Sequence, residues 1–377
     1  MIKFWNYIRE YKKFRKEILN KLDKTILKGN IFFGVELDNF EKKFIKKYKS
    51  RFGVAVGSGT DALLISLKAI DIRNGDEIIT AANTAIPTIS AIRSVGAIPK
   101  LVDIKDDYLI DPKKIKKELT KKTKAIIPVH LYGQTCDMNE ISKIANKHKI
   151  KIIEDCAQSQ GAKFQNSYSG TIGQLGCFSF YPTKILGAYG DGGFILTNNY
   201  SLFKKIKRIR FYGIETLDKK NKYYQKYYSN EDGLNSRMDE IQAAILNFKF
   251  SKLNKFIKRR KNIADRYYKK LKSTNLKLPK LNLNCDHVYH QFTVYHRKRD
   301  KIMRELKKRN IETKIIYPYP IHQMQGFKKF FIKNKYLKNS EIKSKGIFCL
   351  PIYPELKNRE VDLVCKNIRE IMDKFKL

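Results

Sequence analysis

Residues 151–198 read KIIEDCAQSQGAKFQNSYSGTIGQLGCFSFYPTKILGAYGDGGFILTN, and this stretch decides how the rest of the chain is interpreted. It contains three short apolar runs, each bounded by Gly, Pro or Asn, at Ile152–Ile153, Cys177–Tyr181 and Phe194–Thr197. Short bounded runs of this kind are typical of buried strands. The pattern therefore predicts three strands of a buried sheet joined by turns.

Polar side chains stand at the ends of these strands. Asp155 and Gln158 follow the first run, Ser179 lies within the second, and Lys184 comes two residues after Pro182. A lysine amine can form a Schiff base with an aldehyde cofactor, and a carboxylate can keep a pyridine nitrogen protonated. The arrangement therefore points to a site for pyridoxal 5′-phosphate. The alternative for Lys184 is an ordinary surface lysine in a lysine-rich chain.

A second candidate site lies upstream, where the predicted strand Phe52–Val56 runs into GSGTDALLISLKAI at residues 57–70. A glycine-rich turn that opens a helix presents unpaired backbone N–H groups, which suit a phosphate. Such turns are also common where nothing binds. ATP and NAD sites are disfavoured because neither a Walker lysine nor a GxGxxG motif is present.

Residues 77–148 alternate between strand and helix patterns, which predicts an α/β fold with a mostly parallel, mixed sheet between helices. Ligands of such folds bind at the carboxyl ends of the strands. His130, in VHLYGQ at 129–134, could be a general base or a hydrogen-bonded histidine near the core. Both interpretations stay open at this point.

The pattern changes near LKLPKLN at 276–282, which predicts a large domain at 1–275 and a smaller C-terminal α+β domain at 276–377. A long helix is expected over 235–271, and a strand over 312–316.

Polar segments flank these elements. Residues 214–234 are rich in tyrosine and lysine and read as a loop or lid, and the Pro-punctuated loop 317–324 carries His322 and is a candidate binding loop. Arg237 and Asp239 are either a helix-start pair or site residues.

Charge and cysteine content narrow the class of protein. The 377 residues include 78 Lys and Arg against 37 Asp and Glu, a net charge of +41. Because this excess is spread along the chain without a basic block, a lysine-rich surface is favoured over a nucleic-acid binder.

The six cysteines show neither CxxC pairs nor metal-ligand spacing, so we expect reduced thiols and no metal. Without a signal peptide or long apolar run, a cytoplasmic protein without membrane segments is expected.

Together, several motifs resemble the DegT/StrS-type family of nucleotide-sugar aminotransferases, which are fold-type I pyridoxal phosphate enzymes. The motifs that carry the resemblance are EDCAQSQGA, GTIGQLGCFSFYPTKILGAYGDGG, GSGTDAL, NSRMDEIQAAIL and LPIYPEL. The resemblance implies that Lys184 holds the cofactor as a Schiff base and then moves the proton. It also implies that Asp155 pairs with the pyridinium nitrogen and that Gln158 contacts the phenolic oxygen of the ring.

The same resemblance implies further site residues. Gly59, Thr60 and Ser179 should hold the phosphate, and Asn235 should reach the cofactor phosphate of a second subunit, which implies a homodimer with shared sites. Tyr181 and His322 lie where family members contact the nucleotide sugar.

One position departs from the family pattern. Many relatives have an aromatic residue that stacks on the cofactor ring where this chain has Ala85. A lysine at 184, where some members have histidine, argues against the dehydratase branch.

The expected reaction moves an amino group from glutamate, by way of pyridoxamine phosphate, to a keto group of a nucleotide-diphosphate sugar. VHLYGQ resembles members that act on 3-keto-6-deoxy sugars for surface polysaccharide or glycan synthesis. A 4-keto substrate and a non-catalytic, cofactor-binding regulator are the alternatives.

Overall fold

The computed structural model describes residues 1–215, 228–331 and 337–376. Its strands are β1 (Phe52–Val56), β2 (Glu77–Ala81), β3 (Ile98–Val102), β4 (Thr123–Ile127), β5 (Lys151–Asp155), β6 (Lys163–Phe164), β7 (Ser167–Tyr168), β8 (Leu175–Ser179), β9 (Gly193–Thr197), β10 (Phe292–Tyr295) and β11 (Ile347–Leu350). Its α-helices are α1 (Tyr7–Ile26), α2 (Val35–Tyr48), α3 (Gly59–Ala69), α4 (Ile86–Ser94), α5 (Pro112–Glu118), α6 (Met138–His148), α7 (Tyr200–Ile209), α8 (Glu240–Phe250), α9 (Leu253–Leu271), α10 (Arg299–Lys308), α11 (Gln325–Lys328), α12 (Lys338–Ser344) and α13 (Asn358–Phe375).

Seven strands form the central sheet in the order β1-β9-β8-β5-β4-β2-β3. The pairs from β8 to β3 are parallel, whereas β9 is antiparallel to both β8 and β1. The predicted mostly parallel, mixed sheet is confirmed. All three strands expected in the 151–198 stretch are present, as β5, β8 and β9.

Helices cover both faces of this sheet. Neighbouring strand residues point to opposite faces, and Ile78 and Ile79 of β2 accordingly belong to different core clusters. The Ile78 cluster includes Leu63 and Ile65 of α3, and the Ile79 cluster includes Ile141 of α6. A sheet buried on both faces explains why its strands read as continuous apolar runs.

A further core lies around the antiparallel pair β10–β11. It takes residues from α10 and α13, and also Ile2 and Tyr267 from the part of the chain before residue 276. The C-terminal α+β arrangement follows the expectation, while the division at 275/276 stays a prediction.

Two details of the predicted secondary structure are wrong. The helix expected over 235–271 begins at Glu240, because the Asp239 carboxylate caps it by accepting the Gln242 N–H at 2.7 Å. It is interrupted after Phe250, where the Ser251 hydroxyl donates to the Phe248 carbonyl at 2.7 Å. The strand expected over 312–316 is reduced to one bridge, between Lys314 and Cys349.

Candidate active site

The site residues converge because β5 and β8 are parallel neighbours whose carboxyl ends lie at one edge of the sheet. Asp155 ends β5, Ser179 ends β8, and Lys184 lies in the turn that follows. The backbone N–H of Lys184 donates to the Tyr181 carbonyl at 2.8 Å, which holds this turn. Burial lowers the pKa of Lys184 to about 8, although the negative charge of Asp155 opposes this shift. The amine is therefore available as a nucleophile near neutral pH.

Asp155 is only 4% exposed and is held by two donors. The Thr88 hydroxyl donates to Oδ2 at 2.9 Å, and the Ala157 N–H donates to Oδ1 at 3.1 Å. Burial raises the pKa of Asp155, and these hydrogen bonds together with the Lys184 charge act in the opposite direction. Each oxygen keeps acceptor capacity, so a buried cation such as a protonated pyridine nitrogen fits this carboxylate.

A cradle of backbone N–H groups lies at the start of α3. The Ser58 hydroxyl caps the helix by accepting the Asp61 N–H at 3.0 Å. A Cβ atom on Gly59 would lie 2.5 Å from the Cβ of Ser179, so glycine is what lets the helix approach β8 this closely. The N–H groups of Gly59 and Thr60 are in the first helical turn and have no intrahelical acceptor. The structure thus places Gly59 beside Ser179, with Thr60 next in the first helical turn, and unpaired N–H groups at a helix start suit an anion. Their predicted contact with a phosphate stays a prediction.

Gln158 follows Asp155 by three residues and is buried, and both ends of its amide have protein partners. Its oxygen accepts the Tyr132 N–H at 2.9 Å, and its nitrogen donates to the Tyr317 hydroxyl at 3.1 Å. The second amide proton is left for a ligand. Its predicted contact with the cofactor ring stays a prediction.

Asn235 lies on the surface near the phosphate cradle of its own chain. Its side-chain oxygen accepts from Arg237 Nε at 3.0 Å. The next residue, Ser236, accepts the Gly57 N–H at 2.9 Å and donates to Asp61 at 2.9 Å. The segment is therefore fixed beside the cradle while the Asn235 side chain stays exposed.

The two predicted substrate residues differ in environment. Tyr181 is 53% exposed beside the Lys184 turn. His322 lies in the short 3-10 turn Ile321–Gln323, where its Nε2 contacts Glu341 at 3.0 Å and its buried Nδ1 has no hydrogen-bond partner. The Ile321 N–H donates to the Ala82 carbonyl at 3.0 Å, which holds the loop near the end of β2.

Two contributors were missed by the sequence interpretation. Thr88 was not singled out, yet it is fully buried and donates a hydrogen bond to Asp155. Tyr317 lies in the predicted binding loop 317–324 but was not singled out. The sequence signal available for Thr88 was its place in the first turn of a predicted helix after a strand end, which does not show what its side chain contacts.

His130 is a scaffold residue. Its Nδ1 accepts the Cys136 N–H at 3.0 Å, so the proton lies on Nε2, which donates to Glu154 at 2.9 Å. Among the described residues, His130, Glu154 and Cys156 are the group close enough to share a metal ion. Glu154 also accepts three backbone N–H bonds, at 2.7–2.8 Å, so these groups are satisfied without an ion.

A half-buried lysine, a buried carboxylate and a helix start that suits an anion, all at one edge of this sheet, define the class of fold-type I pyridoxal phosphate aminotransferases. The sequence signature of the DegT/DnrJ/EryC1/StrS aminotransferase family matches residues 12–369, and the chain belongs to that family. Its cofactor is pyridoxal 5′-phosphate, with the pyridoxamine form as the amino carrier. Across the described residues, no helix is long and apolar enough to cross a membrane.

Three similar proteins illustrate the family. The dTDP-3-amino-3,4,6-trideoxy-alpha-D-glucose transaminase of Micromonospora megalomicea subsp. nigra is 37% identical over 374 residues, which cover 98% of each chain. A pleiotropic regulatory protein of Geobacillus stearothermophilus is 37% identical and covers 97% of each chain. The crystal structure of S. venezuelae DesV in complex with a ketimine intermediate is 32% identical, covers 98% of each chain and superposes with a TM-score of 0.93.

Proposed function

We propose that this aminotransferase moves an amino group from glutamate to a keto group of a nucleotide-diphosphate sugar. The observation that carries the proposal is the meeting of Lys184, Asp155 and the Gly59–Ser179 cradle at one sheet edge. Relatives over the full length, such as the Micromonospora transaminase, are named for amino-sugar nucleotides.

Each predicted site residue has a separate proposed role toward the cofactor. Gly59, Thr60 and Ser179 hold the phosphate of the cofactor and thereby fix the position of its ring. Asp155 keeps the ring nitrogen protonated, so that the bound cofactor can withdraw electrons from the substrate carbon. Lys184 would hold the cofactor through its amine and, once that amine is free, its lowered pKa would let it accept a proton from the substrate carbon and give the proton up again.

The keto group acted on is proposed to be at C3 of a 6-deoxy sugar, and the product is proposed to enter a surface polysaccharide or glycan. The name of the Micromonospora relative, a 3-amino sugar transaminase, supports C3 over C4. The test is to load the protein with pyridoxamine phosphate and add matched 3-keto and 4-keto nucleotide sugars. We expect return of the visible cofactor absorbance with the 3-keto compound; a faster response to the 4-keto compound would contradict this position.

A homodimer with shared sites is proposed from the surface around Asn235. Phe32 and Phe33 are each about two-fifths exposed there. The Arg237 guanidinium lies 4.2 Å from the centre of the Phe32 ring. Exposed apolar rings beside a site are typical of protein interfaces.

Complementation tests this arrangement. A mixture of the Lys184→Ala and Asn235→Ala variants should recover activity that neither variant has alone, because a mixed dimer contains one complete site. A monomeric protein in sedimentation would contradict the proposal.

A cofactor-binding regulator without turnover is the second candidate, favoured by the 37% identity to the Geobacillus pleiotropic regulatory protein. It would stand if the protein bound the cofactor but transferred no amino group to any keto-sugar nucleotide.

A further inference from the structure

Two threonine hydroxyls lead in sequence to the Asp155 carboxylate. The Oγ1 atoms of Thr84 and Thr88 lie 2.9 Å apart, and Thr88 Oγ1 lies 2.9 Å from Asp155 Oδ2. Thr84, Thr88 and Asp155 are 1%, 0% and 4% exposed, so bulk solvent does not compete for these contacts. The Thr84–Thr88 hydroxyl pair therefore joins the loop before α4 to the carboxyl end of β5.

The position of each proton in this pair follows from the chemistry of the groups. An ionised carboxylate can only accept hydrogen bonds, so the single hydroxyl proton of Thr88 is donated to Asp155. The Thr88 oxygen is then the acceptor in its contact with Thr84, and Thr84 is the donor. Hydrogen bonds in such a series polarise one another, so Thr84 strengthens the bond that Thr88 makes to the carboxylate.

The backbone holds the pair in place. Thr88 lies in the first turn of α4, and its N–H donates to the Ala85 carbonyl at 3.2 Å. Pro87 precedes it, and a proline at a helix start restricts the backbone without removing a helical hydrogen bond. The first turn of α4 thus carries a fixed donor to Asp155, and the positive end of the helix dipole also favours a carboxylate there.

We propose that Thr84 and Thr88 are positioning residues that keep Asp155 a weak base, so that the proton between Asp155 and the cofactor stays on the ring nitrogen. The inference rests on the proposed function, in which Asp155 keeps that nitrogen protonated. A hydrogen bond donated to a carboxylate favours its ionised form. Loss of the Thr88 hydroxyl would therefore move the shared proton from the ring nitrogen toward the Asp155 oxygen.

The other groups around Asp155 explain why the hydroxyl pair is needed. Burial raises the pKa of Asp155, which favours the protonated acid. The Ala157 N–H, the Thr88 hydroxyl and the charges of Lys184 and His130 act against this effect. His130 is held as a neutral imidazole by its two hydrogen bonds, and the Ala157 N–H belongs to the backbone. Thr88 is thus a neutral side-chain donor to Asp155 that a substitution can remove without changing the charge of the site.

The test uses protein loaded with pyridoxal phosphate that carries 15N in the ring. The 15N chemical shift separates a protonated from an unprotonated pyridine nitrogen, and it does so without turnover. In Thr88→Val, which removes the hydroxyl at nearly constant volume, we expect the signal at neutral pH to move from the wild-type position toward the unprotonated value. Thr88→Ser keeps the hydroxyl and should return the signal to the wild-type position.

Two further variants separate this role from a structural one. Thr84→Val should move the 15N signal in the same direction as Thr88→Val but by less, because Thr84 acts through Thr88. Thr80→Val is the matched control, since the Thr80 hydroxyl is fully buried and donates to the Ile127 carbonyl at 2.9 Å. Thr80→Val should lower the urea midpoint of unfolding and leave the 15N signal unchanged.

Kinetics provide a second readout, with L-glutamate as the amino donor. Single-turnover loss of the cofactor's visible absorbance should be about tenfold slower in Thr88→Val, the order expected when one hydrogen bond to a charged group is lost. Thr88→Ser should be close to the wild type.

The outcomes distinguish this inference from the function on which it rests. A wild-type 15N signal in loaded Thr88→Val, or an equal displacement in Thr80→Val, would overturn the role of the hydroxyl pair and leave the aminotransferase function standing. A wild-type protein that takes up no pyridoxal phosphate would overturn the proposed function and this inference with it.

Discussion

Two neighbouring carboxylates on β5 have opposite roles. Glu154 points to one side of the strand, where His130 and three backbone N–H groups satisfy it. Asp155 points to the other side, where two donors hold it and acceptor capacity remains next to Lys184. Successive side chains of a strand face opposite sides. One residue step along β5 therefore separates a carboxylate that holds the fold from one that can serve a cofactor.

The largest effect is expected from removing the Lys184 amine, which lies on the Asp155 side of β5. Lys184→Ala should reduce turnover by more than about 10³-fold, because both the covalent attachment and the proton transfer are lost. The visible absorbance of the lysine-bound cofactor should disappear while circular dichroism stays unchanged. Lys143→Ala, at a surface lysine paired with Glu140, is the matched control and should behave as wild type. Normal turnover by Lys184→Ala would show that the assignment is wrong.

Substituting each carboxylate by its amide tests the comparison directly. Asp155→Asn should bind cofactor but lose about 10²-fold or more in activity, because only the charge opposite the ring nitrogen changes. Glu154→Gln should instead lower the free energy of unfolding by about 2–4 kcal/mol, since its new NH2 group faces backbone donors. Urea denaturation and steady-state kinetics on both variants check this. Equal losses of activity and of stability in the two variants would contradict the separate roles of Asp155 and Glu154.

The lowered pKa of Lys184 gives a pH-dependent test in the cofactor-free protein. Competitive acetylation of the Lys184 peptide, followed by mass spectrometry, should be half-maximal near pH 8 instead of 10.5. Asp155→Asn should move the midpoint lower, because a charge that favours the ammonium is removed, and Glu154→Gln should leave it unchanged. Between these pH values the unfolded chain keeps a proton that the folded chain has released, so this lysine contributes stability that rises with pH in that window. A midpoint near 10.5 would contradict the buried environment.

The smallest expected effect concerns Ala85, which ends the loop before α4, the helix that carries Thr88. Ala85→Tyr should strengthen retention of pyridoxal phosphate by up to about tenfold, because an aromatic ring can stack on the cofactor ring for about 0.5–1.5 kcal/mol. Ile86→Tyr, at the exposed neighbouring position, should have no such effect. Equal retention by Ala85→Tyr and wild type would indicate that another side chain already covers the ring.

Local sequence was sufficient for the elements on which the site depends. Short apolar runs ending in polar residues predicted β5, β8 and β9, and GSGT predicted the start of α3. Sequence was less reliable where side chains compete with the backbone. The Asp239 cap and the Ser251 hydroxyl shortened and divided a helix that apolar spacing alone would have continued.

The sequence by itself determined the chemistry available here: the order of strands and helices, the lysine at 184, the acid at 155 and the glycine at 59. Only the tertiary structure decided which side chains have a shifted pKa, as Lys184 does, and which serve to stabilise the fold, as His130 does. His130 could have been a base until Glu154 and the Cys136 N–H were found on its two nitrogens. The hydrogen bonds from Thr88 to Asp155 and from Gln158 to Tyr317 join segments far apart in the chain, and no local pattern encodes such contacts.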